Sequence, residues 1–271
     1  MAVPEADPLG VCNGQQTTIV VATLGVHERL TWLRTMVGHL RASPRVAEIV
    51  VLWQKPTHPA PRVDGARVVA MANASLTNRY RFRDYSLLTC SALVVDDDMD
   101  MRPAAVESMW AAWGAADPLP SLLGFVSRHT MKDGRYSMLE LRMGDGRAPA
   151  RYVLPPFLVA RPLMTAFLSP HLWSAREFVD QNRDCDDLLL NEVARAARFV
   201  VTRIGYPANF DKIPRLSLSG LSSKRNQVQV RSSCAQHFAR KLSFVRPSEE
   251  ADRPRVWDHP SSWQSPGGAG G

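Results

Sequence analysis

What this chain lacks narrows it first. No window approaches the roughly 20 consecutive apolar residues of a membrane-spanning helix. Nothing near Met1 has the basic start and unbroken apolar stretch of a secretory signal. As a sequence it reads as a soluble chain carrying no address. Cysteine is scarce, at four of 271 residues. Cys12, Cys90, Cys185 and Cys234 show neither CxxC nor Cys/His spacing, which argues against a structural zinc site, and their number leaves open whether any two are bonded. No internal repeat is visible, and the histidines have no metal-ligand spacing. What is present is a 45% hydrophobic composition, enough for a sizeable core, and a formal net charge of +7. That charge favours anionic partners such as nucleic acid, sulfated glycan, phospholipid or nucleotide phosphate, without choosing among them.

Short β-branched runs alternate with helical periodicity, the pattern of a sheet with helices on its faces, so the expected fold class is α/β. TTIVVAT (17–23) reads as a strand, Leu30, Leu33, Met36, Val37 and Leu40 recur at helical spacing, and EIVVLW (48–53) is a second strand. After a turn at Asp64-Gly65 come ARVVAM (66–71), SLTNRYRFRDYS (75–86) and a strand SALVV (91–95). Pro103 and Gly114 bracket a helix, proline at its first position and glycine past its end. LLGFVS (122–127), RYSML (135–139) and RYVLPPFLVA (151–160) read as strands. DDLLLNEVARAARFV (186–200) reads as a helix with acids at its start and arginines later, as the macrodipole prefers. Residues 247–271 are rich in Pro, Ser and Gly and read as a disordered tail, and 1–15 as a flexible lead, which leaves 16–246 as the folded domain.

The densest chemistry lies in SALVVDDDMD (91–100). Asp96, Asp97, Asp98 and Asp100 follow directly on a strand, at the carboxyl edge where open α/β sheets bind ligands. Carboxylates this close repel unless a cation sits among them, and oxygen ligands favour Mg²⁺, Mn²⁺ or Ca²⁺ with positions free for substrate phosphates. A solvated acidic turn is the bland alternative for a lone DxD. An EF-hand loop is another, since Asp96, Asp98, Asp100 and Glu107 fall at positions 1, 3, 5 and 12 of its pattern. Met101 stands where that loop needs glycine, however, Pro103 falls inside it, and a strand precedes it. LTNRYRFR (76–83) puts Arg79, Arg81 and Arg83 at alternating positions, on one side of an extended segment and matched to a diphosphate. A solvated basic face, or an RNA-contacting strip with Tyr80 and Phe82 interleaved, explains that spacing equally well. Asp184, Asp186 and Asp187 surround a helix start, where N-capping accounts for one or two acids and leaves a third.

Taken in order, TNRYRFR (77–83), VVDDD (94–98), GFVSR (124–128), CDDLLLN (185–191), SGLSS (219–223) and RSSC (231–234) resemble the exostosin-type domain of glycosyltransferase family 64, over about residues 16–245. The resemblance implies a GT-A fold: a Rossmann-like nucleotide-binding half on a mixed central sheet flanked by helices, plus an acceptor-binding half. It implies a retaining hexosyl- or N-acetylhexosaminyltransferase using Mn²⁺, or Mg²⁺ in its place. The sugar, an N-acetylhexosamine by expectation, would move from a UDP donor, or a GDP donor, to a glycan or glycolipid acceptor. The family's DxD falls on Asp96, Asp97 and Asp98, with Asp98 and Asp96 toward the metal and Asp96 and Asp97 toward ribose and metal-bound water. Its nucleotide contacts fall on Asn78 and Arg83, with Arg79 and Arg81 beside them, and Gln54 or Lys55 stands after the second strand. Asp187 is the implied acid at the sugar's reactive carbon, Asp186 its partner, and Arg231 the arginine near the leaving diphosphate. A Cys185–Cys234 bridge is implied as well, tying that helix to the segment that bears Arg231. So is an ER or Golgi lumen, where such a bridge is stable, with the anchor belonging to a longer protein of which this chain is one domain. A homodimer is compatible with the family, and nucleic acid is not an expected partner. At 24–30 the chain has LGVHERL where the family carries residues that grip the nucleobase, so UDP rests on the resemblance alone.

The residues leave two other functions open. One is a catalytically silent glycan-binding domain of the same fold, against which intact Asp98, Asp187 and Arg231 stand. The other is a nucleic-acid-binding module using the basic excess, for which no RRM, KH or zinc-finger signature is present. Seven tryptophans and ten methionines read mainly as packing, with Trp173 and Tyr136 as candidates to stack on an acceptor sugar. SGLSSKR (219–225) is a candidate flap that closes over donor.

Overall fold

The β-branched runs of the first hundred residues assemble as a parallel half-sheet. In the computed structural model, which describes residues 14–24, 27–82, 87, 89–115, 121–138, 148–206 and 226–243, β1 (Thr17–Thr23) pairs in parallel with β2 (Val46–Trp53) on one side and β4 (Ser91–Asp96) on the other. β3 (Arg67–Ala70) extends the sheet beyond β2. Strands covered on both faces need no polar side, which is why they read as nearly continuous apolar runs. Alternation still sorts them. Ile19, Val21, Ile49, Val51, Leu93 and Val95 meet Leu33, Met36 and Val37 of α1 (His27–Leu40) and Val106, Met109 and Trp110 of α2 (Pro103–Gly114). Val20, Ala22, Val50, Leu52, Ala92 and Val94 belong to a second core on the opposite face.

From β4 onward the sheet becomes mixed. β4 pairs antiparallel with β8 (Tyr152–Ala160), and β8 pairs antiparallel with β5 (Leu122–Thr130). β9 (Val201–Arg203) lies parallel to β5, β7 (Ala148–Pro149) antiparallel to β9, and β6 (Tyr136–Ser137) pairs with the end of β5. The described strands thus form one sheet in the order β3-β2-β1-β4-β8-β5-β9-β7. Gly124 sits where β5 slips register against β8. A Cβ there would meet Val153 Cγ1 at 2.5 Å and the Pro156 carbonyl at 2.9 Å, so only glycine admits this approach. α3 (Arg161–Phe167), α4 (Trp173–Asn182), α5 (Asp186–Ala196) and α6 (Gln227–Ser243) complete the described helices, with α5 packed between α6 and β8. No described helix is long and apolar enough to cross a membrane.

Several expectations change. The segment carrying the alternating arginines is not extended. Leu76–Tyr80 forms a 3₁₀ turn whose N-cap, Ser75, accepts a hydrogen bond from the Thr77 N–H. Arg79 is therefore buried and Arg81 exposed, on no common side, and Arg83 lies outside the described residues. The helix beginning at Asp186 stops at Ala196 rather than running to 200, because Arg198 adopts φ +60° and the chain turns into β9. Gly114 is the last helical residue of α2 rather than the one after it. A strand, not a helix, precedes the acids, which removes the EF-hand. The candidate flap at 219–225 and the tail from 247 lie outside the described residues.

The chain passes from β1 to β2 and β3 on one side of β1 and returns to β4 on its other side, so the crevice of the sheet opens between the carboxyl ends of β1 and β4. Thr23 and Asp96 stand at those ends.

Candidate active site

Asp96 closes β4, and Asp97 and Asp98 form the turn after it, buried at 5% exposure each. Two arginines hold the three acids. Arg29, in the first turn of α1, places Nη1 2.6 Å from Asp97 Oδ1 and Nη2 3.8 Å from Asp98 Oδ2. Arg79, from the 3₁₀ turn, donates from Nη1 to Asp96 Oδ1 at 2.9 Å, while its Nε lies 3.4 Å from Asp186 Oδ2. Burial pushes the Asp97 carboxyl above its ordinary range, against the opposing pull of the Thr23 hydroxyl and the Arg29 guanidinium. Asp100 is engaged elsewhere, by Arg102 at 2.6 Å and His39 at 3.5 Å.

Asp186 and Asp187 open α5 from the other side of the crevice. The Tyr80 hydroxyl donates to Asp186 Oδ2 at 2.9 Å. Burial pushes the Asp186 carboxyl up to about 6, opposed by Arg79 and reinforced by Asp187. Arg231 of α6 donates from Nη2 to Asp187 Oδ2 at 2.6 Å and from Nη1 to Asp184 Oδ1 at 3.0 Å. Its guanidinium carbon stands 4.9 Å from the centre of the Tyr136 ring. Burial works against that charge, but Asp187 and Asp184 outweigh it and hold the guanidinium protonated. Of the acids at this helix start, Asp184 and Asp187 are thus Arg231's partners and Asp186 is the partner of Arg79 and Tyr80, while the N-cap, Cys185, makes no side-chain cap bond. The implied disulfide is present. Cys185 is bonded to Cys234, one helical turn beyond Arg231, with the two Cα atoms 6.3 Å apart. Asn191 fixes α5 to the sheet, its Oδ1 accepting from the Val153 N–H at 2.8 Å and its Nδ2 donating to the Val153 carbonyl at 2.9 Å.

Of the residues singled out from sequence, Asp96, Asp97, Asp98, Asp186, Asp187, Arg79 and Arg231 meet in this one network. Gln54 sits under the 3₁₀ turn that contains Asn78: Gln54 Oε1 accepts from the Ser75 N–H at 2.8 Å and from Asn78 Nδ2 at 3.3 Å. Asn78 Oδ1 is buried without a hydrogen-bond partner among the described residues. Tyr136, at 1% exposure, carries Arg231 on its ring rather than offering a face to a sugar, whereas Trp173 is 66% exposed at the start of α4. Sequence reasoning assigned no site role to Arg29, Asn191 or Glu192, and offered Tyr80 only as part of an RNA-contacting strip. Arg29 had a signal, a basic residue in the first turn of the helix leaving β1 at the crevice. Glu192 had one too, a lone acid inside LLLNEVA. It is fully buried and accepts from Arg151 at 2.7 Å, Tyr152 at 2.8 Å and Arg195 at 2.6 Å.

The model of the Glycosyl transferase family 64 domain matches residues 17–248. The chain belongs to glycosyltransferase family 64. This family 64 chain is 26% identical over 235 residues to glucosamine inositolphosphorylceramide transferase 1 of Oryza sativa subsp. indica, covering 84% of this chain and 31% of that protein. The Arabidopsis thaliana protein of the same name is 25% identical over 239 residues, covering 86% and 30%. Glycosyltransferase family protein 64 C3 of Arabidopsis thaliana is 26% identical over 246 residues, covering 78% and 71%. The chain thus spans about a third of the length of the first two relatives. Among solved structures, 2-C-methyl-D-erythritol 4-phosphate cytidylyltransferase from Thermus thermophilus covers 82% of this chain and 99% of that one. At 14% identity and a TM-score of 0.41, that likeness carries no argument.

The charge balance of the family 64 site bears on a metal. Among the described residues, six carboxylates (Asp96, Asp97, Asp98, Asp184, Asp186, Asp187) contact three guanidiniums (Arg29, Arg79, Arg231). A diphosphate would bring further negative charge beside these acids, which an accompanying cation would offset. Among the described residues no group of three or more His, Cys, Asp or Glu side chains converges to hold a metal by itself. A hard divalent ion at this turn would thus take at most two of these carboxylates as ligands and would need other oxygens to complete its shell.

Proposed function

We propose that this family 64 chain is the catalytic domain of a retaining, metal-dependent glycosyltransferase of GT-A type, moving an N-acetylhexosamine or related hexose from a UDP or GDP donor to a glycolipid. The observation that carries the reading is the pair of arginine bridges. Arg79 joins Asp96 at the end of β4 to Asp186 at the start of α5, and Arg231 joins α6 to Asp187, so motifs far apart in the chain face one crevice. The names of the relatives, glucosamine inositolphosphorylceramide transferase, support an inositolphosphorylceramide-type acceptor and a glucosamine-type sugar. The disulfide supports an oxidising compartment, the ER or Golgi lumen.

Asp98 and Asp96 would hold Mn²⁺ or Mg²⁺, which supplies positive charge to the diphosphate as its bond to the sugar breaks. The chain's own residues do the rest. Arg231, held by Asp184 and Asp187, would meet the leaving oxygens as they gain charge, a donor that helps the transition state more than the ground state. Asp187 stabilises the positive charge that develops at the sugar's anomeric carbon. The sugar–phosphate bond breaks with its electron pair on the diphosphate, the acceptor oxygen bonds to the same face of the carbon, and the acceptor's proton passes to the departing diphosphate. Both Asp187 oxygens are already engaged, Oδ2 by Arg231 and Oδ1 by the Leu188 N–H at 2.8 Å. That favours a short-lived ion pair over covalent attack by Asp187.

The test is hydrolysis and transfer with UDP- and GDP-sugars, using an inositolphosphorylceramide acceptor, with and without Mn²⁺. Expected are metal-dependent turnover abolished by Asp98→Asn and no glycosyl-enzyme detectable by mass spectrometry. Absence of turnover with every donor, together with tight and salt-sensitive RNA binding, would move the chain to the nucleic-acid class.

A further inference from the structure

Arg29 stands where a cation would be drawn among the family's acids. Its Nη1 makes a charge-assisted hydrogen bond to Asp97 at 2.6 Å, while Nη2, at 3.8 Å from Asp98, is beyond hydrogen-bond range. The Arg29 side chain is 15% exposed and the two acids 6% and 7%, so solvent screens this cluster little. A divalent ion settling on Asp98 would meet a positive neighbour 3.8 Å from that acid's oxygen. Arg79 does not pose the same conflict as a movable group, because it is 9% exposed and bound on two sides by Asp96 and Asp186. Arg29 lies in the first turn of α1, beside the crevice where a diphosphate would enter, and its two acidic partners belong to a single turn.

We propose that Arg29, anchored on Asp97, is a built-in counter-ion that releases Asp98 to the metal only when a donor diphosphate takes over its guanidinium, so that metal alone binds weakly and metal and nucleotide load together. This rests on the metal-dependent reading above and deepens it. A forked guanidinium matches phosphate oxygens as well as carboxylates, so the exchange leaves Arg29 paired in both states. Its charge weakens metal binding alone and strengthens nucleotide binding alone, and because coupling is reciprocal, nucleotide tightens metal by the same factor as metal tightens nucleotide.

The experiment measures Mn²⁺ binding by electron paramagnetic resonance and UDP or GDP binding by calorimetry, each with and without the other ligand. Wild type, Arg29→Met and Arg29→Lys are compared, with melting curves to confirm that each is folded. Arg29→Met, which keeps an unbranched stem without charge, is expected to bind Mn²⁺ alone about tenfold more tightly and UDP alone more weakly. The factor by which UDP tightens Mn²⁺ should fall by about tenfold, within the usual span of coupling between sites. Arg29→Lys, which keeps the charge without the fork, should fall between wild type and Arg29→Met. If Arg29→Met binds Mn²⁺ and couples to UDP as wild type does, Arg29 is a structural partner of Asp97 and the inference fails while the enzyme reading stands. If no folded variant, wild type included, binds Mn²⁺ with or without either nucleotide, both fail.

Discussion

Asp186 is held by Arg79 and Tyr80 in surroundings that disfavour its own charge, and the consequence is a testable pH dependence. Its folded carboxyl is raised to about 6 from an ordinary 3.8. The folded state therefore holds that proton more tightly than the unfolded chain. Its contribution to stability is complete below the ordinary carboxylate range and is lost as pH rises through about 6. Asp186→Asn cannot ionise, so its melting temperature relative to wild type should rise between pH 4.5 and pH 7.5, and a pH-independent difference would overturn the assignment. At Arg231 the expectation concerns rate. Arg231→Lys keeps the charge but loses the fork that reaches Asp184 and Asp187 together. Turnover should fall roughly 10²- to 10³-fold, the usual cost of one misplaced transition-state donor, with donor KM changing little. The acids of this site were legible because they sit in contiguous runs that no capping or solvation argument fully absorbs. Their arginine partners were legible only in part. Arg29 and Asp97 are 68 positions apart, Arg231 and Asp187 44, and nothing in local spacing pairs them.

Among the elements, the parallel strands and α1, α2 and α5 were legible from apolar runs and helical periodicity, because both faces of the first half-sheet are covered and the helices show a clear stripe. The 3₁₀ turn was not. Alternating arginines suit a strand, but Ser75 caps the turn and Gln54 holds its backbone, a tertiary contact that overrides the local pattern. The disulfide acts at this scale, joining the first residues of α5 to α6 across 49 positions. Replacing both Cys185 and Cys234 by alanine should lower the unfolding free energy by about 4 kcal/mol in the chain-entropy account. Chemical denaturation of the two proteins checks it. Because Arg231 is one turn from Cys234, turnover under conditions where both proteins remain folded should also fall, and an unchanged rate would show that α6 is positioned without the bridge. Gly124→Ala tests the β5–β8 seam in the same way. The added methyl group meets the Pro156 backbone, and overpacking of this kind costs about 1–3 kcal/mol.

For the molecule as a whole, the question is whether the parallel half that presents Asp96 and the antiparallel half that braces α5 behave as one unit. The class was legible: alternating elements gave α/β, and the mixed character follows from β8 entering antiparallel beside β4, a pairing that no strand announces in its own sequence. That pairing argues for a single unit. β4 is bonded to β1 on one side and β8 on the other, so separating the halves would expose two strand edges in the middle of a sheet. It would also open both cores, since Leu93 and Val95 share one with Leu158, and Ala92 and Val94 share the other with Phe157 and Val159. Differential scanning calorimetry of the chain should therefore show one transition, with calorimetric and van't Hoff enthalpies equal. Adding UDP with Mn²⁺ at about a hundred times the dissociation constant should move that whole transition upward, by the equivalent of about 2.7 kcal/mol. Two transitions, of which only one responded to the ligands, would mean that the β4–β8 seam does not couple the halves. The arginine bridges across the crevice would then join two separately folding bodies.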